Sequence, residues 1–142
     1  MQRIFVATDG SPGANRAVDA AARLANIAQA KLIILSVGDN VSGEQMRRLA
    51  SSGGNLSEML EAAANRTLAR ARQRALREGV ASIELQTAWG DPAQAILDTV
   101  RRKKADLLVV GRRGRSRLSG LLLGSVSQKL ASLAPCKVMV VP

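Results

Sequence analysis

The sequence predicts an α/β domain: one parallel sheet of five strands, with helices on both faces. Three observations carry that reading. Five apolar runs alternate with four stretches whose apolar residues recur at helical spacing. Two of those runs, KLIILSV at Lys31–Val37 and LLVV at Leu107–Val110, are apolar almost throughout, as strands buried on both faces are. Strand-to-helix junctions are built on Gly, Ser, Asp and Pro, the residues of turns and helix starts. The 142 residues make one domain, 1–142, of a size that supports a sizeable core.

Arg3–Thr8 (RIFVAT) is the first strand, ending at Asp9-Gly10. Ser11 is placed as an N-cap, with Pro12 at the first helical position. The helix then runs to about Ala28, with Ala17, Val18, Ala21, Leu24, Ala25 and Ala28 on one face. Those small residues let it lie close to a sheet. Lys31–Val37 follows as the second strand. From Gly38 to Asn55 the composition shifts to Gly, Ser, Asn and Asp around a weak helical patch, GEQMRRLA, with Gly53-Gly54 its clearest break. A lid over a pocket and a plain surface loop fit this stretch equally well.

Asn55 with Glu58 resembles a capping box opening a long helix that Gly79 closes. Its apolar stripe is Leu56, Met59, Leu60, Ala63, Thr67, Leu68, Ala71 and Leu76; Arg66, Arg70, Arg74 and Arg77 form a basic one. Acids early and arginines late complement the helix dipole, which accounts for the charges without a ligand. In Ala81–Ala88, Ile83, Leu85 and Thr87 alternate with Glu84 and Gln86, so one face of this third strand is wet. Asp91-Pro92 caps a third helix with Ala93, Ile96, Leu97 and Val100 facing inward, closing in Arg101, Arg102, Lys103 and Lys104. Leu107–Val110 is the fourth strand, Ser125–Ala134 the last helix, and Lys137–Val141 the last strand.

A wet strand belongs at an edge and the most apolar strands belong inside, which gives the order 3-2-1-4-5. Winding then reverses between strands 1 and 4, the place where such sheets bind ligands. Strand 5 is apolar throughout yet sits at the other edge. Bare apolar edges aggregate, so a second copy is expected to cover it, making a homodimer through Val138–Val141 about a two-fold axis.

The composition excludes several classes. With 46% apolar residues the chain is not disordered, and no apolar run approaches the roughly 18–20 residues of a membrane span. The opening MQRIFVATDG lacks a signal-peptide pattern, so a cytoplasmic location is expected. Cys136 stands alone, which rules out an intrachain disulfide and a cysteine metal cluster. Histidine is absent, which removes serine–histidine triads and the commonest zinc ligand. The net charge of +10 favours anionic partners: nucleotides, nucleic acid or acidic proteins. Aromatics at 1% weaken the case for nucleic acid bound by base stacking.

The chemistry is concentrated in LLVVGRRGRSRLSGLLLGSV, residues 107–126. After the fourth strand comes the spacing G-x2-G-x9-G-S, over Gly111, Gly114, Gly124 and Ser125, and then a helix. Glycine lets backbone N–H groups approach a ligand with no Cβ between. A helix N-terminus adds unpaired donors and the positive end of its dipole. Arg112, Arg113, Arg115 and Arg117 add guanidinium groups that match phosphate oxygens. Strand, glycine loop and helix together suit an anion such as a nucleotide phosphate.

This stretch resembles the ATP-binding motif of the universal stress protein family. The likeness spans essentially the whole chain, including IFVATDGSPGANRAVDAA at the start and Gly90 and Pro92 before the third helix. It implies the same 3-2-1-4-5 sheet, Rossmann-like and similar to the adenine nucleotide alpha-hydrolase fold. It also implies an ATP site, with the nucleoside end near Ala7, Thr8, Asp9 and Val37 and the Val37 backbone meeting the adenine. Val110 would belong to the site, and the phosphates would run along Gly111, Arg112, Gly114, Arg115, Gly124, Ser125, Val126 and Ser127, carrying Mg2+ or Mn2+. Asp9 at a strand tip suits ribose hydroxyls or a divalent ion, and equally a turn or cap. Two departures stand out. Lys137 stands where family members usually carry proline before the last strand's valine, this chain's proline coming earlier at Pro135, and Ser36 stands where histidine is frequent.

A dimeric ATP-binding regulator of the stress response is therefore expected. The rivals are a slow ATPase, and a basic module for nucleic acid or an acidic protein partner. No catalytic residue is assigned, because the pattern offers no water-activating base beyond Asp9. A phospho-receiver needs a carboxylate after its third strand and an acidic pair at its first; Trp89-Gly90-Asp91 and the lone Asp9 do not supply them.

Overall fold

The computed structural model describes residues 1–38, 56–112 and 123–142. In chain order the elements are β1 (Arg3–Ala7), α1 (Pro12–Ala28), β2 (Lys31–Gly38), α2 (Leu56–Arg77) and β3 (Ile83–Trp89). They continue with α3 (Pro92–Arg102), β4 (Leu107–Gly111), α4 (Ser125–Leu133) and β5 (Lys137–Val141). The strands pair in parallel in the order β3-β2-β1-β4-β5, as the placement of wet and apolar strands requires. Asn55, Arg113, Gly114, Arg115, Arg117 and the Gly38–Asn55 connection beyond Gly38 lie outside the described residues.

Side chains on the inner strands alternate between two cores, one on each face. Ile4, Val6, Leu32, Ile34, Leu107 and Val109 meet α1 and α2 through Ala17, Val18, Ala21, Ala25, Leu68, Ala71 and Ala75. Phe5, Ile33, Leu35, Leu108 and Val110 meet α3 and α4 through Ile96, Leu97, Val100 and Leu130. The alanines of α1 let that helix lie close to the sheet. Its start is fixed by Ser11, whose Oγ accepts from the Ala14 N–H at 3.2 Å, with Pro12 in the first turn. Asp91 does the same for α3, accepting from the Gln94 N–H at 3.1 Å.

Two readings of the sequence need correction. The buried face of α2 is Ala64, Leu68, Ala71 and Ala75; Met59 and Leu76 are exposed. Of the expected stripe only Leu68 and Ala71 are buried, joined by Ala64 and Ala75, and α2 also packs beside α1, where Arg74 forks onto Asp19 at 3.0 and 2.7 Å. That ion pair also takes one of the four arginines out of the basic stripe. On β3, alternation does not separate a wet face from a dry one: Leu85 is exposed, while Glu84 is half-buried between Lys31 and Lys103 at 2.9 and 2.6 Å. The edge position is nevertheless the expected one.

Candidate nucleotide site

The carboxyl ends of β1 and β4 part at the reversal point. Their register runs Ile4↔Leu107, Phe5↔Leu108 and Val6↔Val109. Beyond Val6, β1 stays with β2: Ala7 faces Leu35, and the Thr8 N–H donates to the Leu35 carbonyl at 2.9 Å. Beyond Val109, β4 stays with β5: Gly111 faces Val141, and the Arg112 N–H donates to the Val141 carbonyl at 2.7 Å. The two tips diverge, and the crevice between them is the switch point of an open α/β sheet.

On the β1 side, the chain turns at Gly10, whose φ of +81° few side chains tolerate. Buried Thr8 accepts the Gly10 N–H on Oγ1 at 3.1 Å, and the Asp9 carboxylate accepts the Ser11 N–H at 2.8 Å. Asp9 is thereby fixed at the lip of an open cleft of about 80 Å3. That cleft is lined by Asp9, Ser36, Val37 and Gly38 and by Leu60, Ala63, Ala64 and Thr67 of α2. The structure thus brings Asp9 and Val37 together on the β2 side of the crevice. Ser36, Gly38 and the α2 residues were not singled out as site residues. The one available signal was Thr67, a hydroxyl within an otherwise apolar stripe.

On the β4 side stand Val110, Gly111, Arg112 and the start of α4, none of which lines the cleft. Val110 is buried in the α3/α4 core, with Val126 packed against it. Ser127 is buried, and its hydroxyl donates to the Gly111 carbonyl at 2.6 Å. The Gly124 N–H donates to the Arg112 carbonyl at 2.9 Å. Two backbone donors, those of Arg112 and Gly124, therefore serve the fold. Ser125 is exposed, and α4, unlike α1 and α3, begins at a glycine with no side-chain cap. Its first-turn N–H groups carry the positive end of the helix dipole toward β4's tip.

Among the described residues no group of three or more His, Cys, Asp or Glu could hold a metal ion, and no helix is long and apolar enough to cross a membrane. Cys136 is half-buried, and burial pushes its thiol up, so it is a poor nucleophile.

A doubly wound sheet with a divergent switch point, an acidic tip on one side and an uncapped helix on the other is the class of open α/β domain that takes its ligands at the carboxyl ends of its strands. The profile of the Universal stress protein family matches residues 1–142, and the chain belongs to that family. Universal stress protein YxiE of Bacillus subtilis is 35% identical over 149 residues, covering 98% of this chain and 97% of the relative. Among solved structures, a universal stress protein in complex with cAMP is 32% identical with a TM-score of 0.78, covering 99% of this chain and 97% of the other. Universal stress protein UspA from Lactobacillus plantarum is 28% identical with a TM-score of 0.81, at the same coverage.

Proposed function

We propose that this chain is an adenine-nucleotide-binding regulator of the stress response, with ATP as its ligand. The base lies toward Val37 and Asp9. The phosphates run past Gly111 and Arg112, with Gly114 and Arg115, to Gly124, Ser125 and the amides of Val126 and Ser127. Ala7, Thr8 and Val110 form the floor between. The observation that carries this reading is the parting of β1 and β4 beyond Val6 and Val109, which opens the crevice where such sheets take ligands. The cAMP held by a relative 32% identical to this chain supports an adenine nucleotide in particular.

Mg2+ or Mn2+ fits as an ion carried on the phosphates. Among the described residues Asp9 is the one carboxylate lining the cleft, and an ion carried there takes ligands from phosphate and water as well, as Mg2+ commonly does. One carboxylate and no histidine make any hydrolysis slow, and the function is sensing rather than turnover. The sensor is a cytoplasmic homodimer joined along β5.

Calorimetric titration with ATP, ADP, AMP and cAMP tests the reading. Saturable binding of at least one, lost on Asp9→Ala together with Ser125→Ala, is expected. Absence of binding by all four overturns it.

A further inference from the structure

Trp89, the chain's single tryptophan, is half exposed at the end of β3 (50%), so one face of an indole is open to a ligand. It faces Gly38 across the β2–β3 ladder. The two are packed so closely that a β-carbon on Gly38 would lie 1.9 and 2.0 Å from Cε3 and Cζ3 of the indole. The benzo ring therefore lies over the bare α-carbon of Gly38, and only glycine permits this. Gly38 lines the cleft. Leu32 and Ile83, paired in the same ladder, both join the α1/α2 core, so the pleat carries Gly38 and Trp89 onto that same face, the face from which α2 closes the cleft. An aromatic ring thus stands at the rim of a cleft whose lining continues through Leu60, Ala63 and Ala64.

We infer that Trp89 is the stacking platform for the purine of the bound nucleotide. The inference rests on the nucleotide reading and adds a residue to it. An exposed ring held flat by a glycine loses little freedom when a base settles on it. Stacking on such a ring also favours the larger purine surface over a pyrimidine. The phosphates supply anion affinity at β4, and the indole supplies base preference at β3.

The single tryptophan makes the test direct. Expected are saturable quenching of Trp89 emission by ATP with the calorimetric Kd, and reduced acrylamide access in the complex. Trp89→Ala should weaken ATP by about ten- to a hundredfold and narrow the preference for ATP over CTP, while Trp89→Phe keeps part of both. If calorimetry shows ATP binding to the wild type, yet emission and acrylamide access are unchanged, the inference is overturned and the nucleotide reading stands. A Trp89→Ala variant that binds ATP as the wild type does overturns it in the same way. Should Trp89→Ala fail to fold, the wild-type emission and Trp89→Phe still decide. A wild type that binds no adenine nucleotide overturns both.

Discussion

Gly111 at the tip of β4 passes so close to Gly13 in the first turn of α1 that a β-carbon on Gly111 would lie 3.1 Å from both the carbonyl carbon and the carbonyl oxygen of Gly13. Both are backbone atoms, which cannot swing aside as a side chain does. Gly111 also has an ordinary φ, unlike Gly10, Gly79 and Gly90, so close approach alone demands glycine here. Its carbonyl accepts from Ser127, so the same residue ties the start of α4 to β4 and lets α1 rest against it.

Gly111→Ala should therefore destabilise the fold by about 1–3 kcal/mol, the ordinary cost of overpacking. Urea denaturation measures this as a lower midpoint with an unchanged slope. Because α1 or β4 must shift at the switch point, nucleotide affinity should fall along with stability. A variant as stable as the wild type would mean that the two backbones separate freely.

Glu84 predicts an acid limb in the stability profile. Hydrogen bonds from Lys103 and Lys31 hold its carboxyl below the usual glutamate range, outweighing the desolvation that raises it. A group whose folded pKa is depressed stabilises the protein above its unfolded pKa and loses that contribution as pH falls through the folded value. The stabilisation from Glu84 is thus complete at neutral pH and disappears on acidification below pH ~4. The carboxylate and both lysines are partly exposed, so solvent screening keeps the contribution to about 1 kcal/mol. Glu84→Gln should melt a few degrees lower than wild type at pH 7, with the gap closing in acid. A gap independent of pH would show that packing, not charge, accounts for it.

The fold was legible because each strand's period reports how many of its faces are buried. Continuous apolar runs gave β2 and β4, and the polar residues of β3 gave its edge. What the pattern could not give was the division of labour along α2. Leu60, Ala63 and Thr67 share the helical spacing of a core stripe, yet with Ala64 they line the cleft, while Leu68, Ala71 and Ala75 join the core against the sheet. Spacing locates a face but not what stands opposite it. Asp9, Gly111 and Ser125 stand out in the sequence because turn chemistry marks strand ends and helix starts, whereas Val37 is a candidate through the family resemblance alone. Gly38 and Trp89 were missed as a pair because their contact crosses two strands and leaves no local signature.

The free edge of β5 carries the proposed dimer. The Val141 carbonyl accepts from Arg112 on β4, so by strand alternation the polar groups of Val138 and Val140 point away from the sheet. Val140→Pro removes one outward N–H without touching the β4–β5 ladder, a position where a strand tolerates proline. Light scattering at micromolar concentration should give a two-chain mass for the wild type and a one-chain mass for Val140→Pro, with circular dichroism unchanged. A monomeric wild type would remove β5 as the interface.

Ser125 and Ser127 share the first turn of α4 but should fail in opposite ways. Ser127 is buried, with its hydroxyl 2.6 Å from the Gly111 carbonyl, so Ser127→Ala leaves that carbonyl without its partner. Gly111 is half-buried, so the lost hydrogen bond should cost about 1 kcal/mol, and any effect on nucleotide binding should follow from that loss. Ser125 is exposed at the first position of the helix, where no side-chain cap competes for the turn's amides. Ser125→Ala should leave the melting temperature within a degree or two of wild type while weakening the proposed nucleotide by about three- to tenfold, the worth of one hydrogen bond to a charged phosphate oxygen. Thermal denaturation and calorimetry on both variants separate the two effects. Equal losses of stability in the two would mean that the whole turn is structural, and would move the phosphates away from α4.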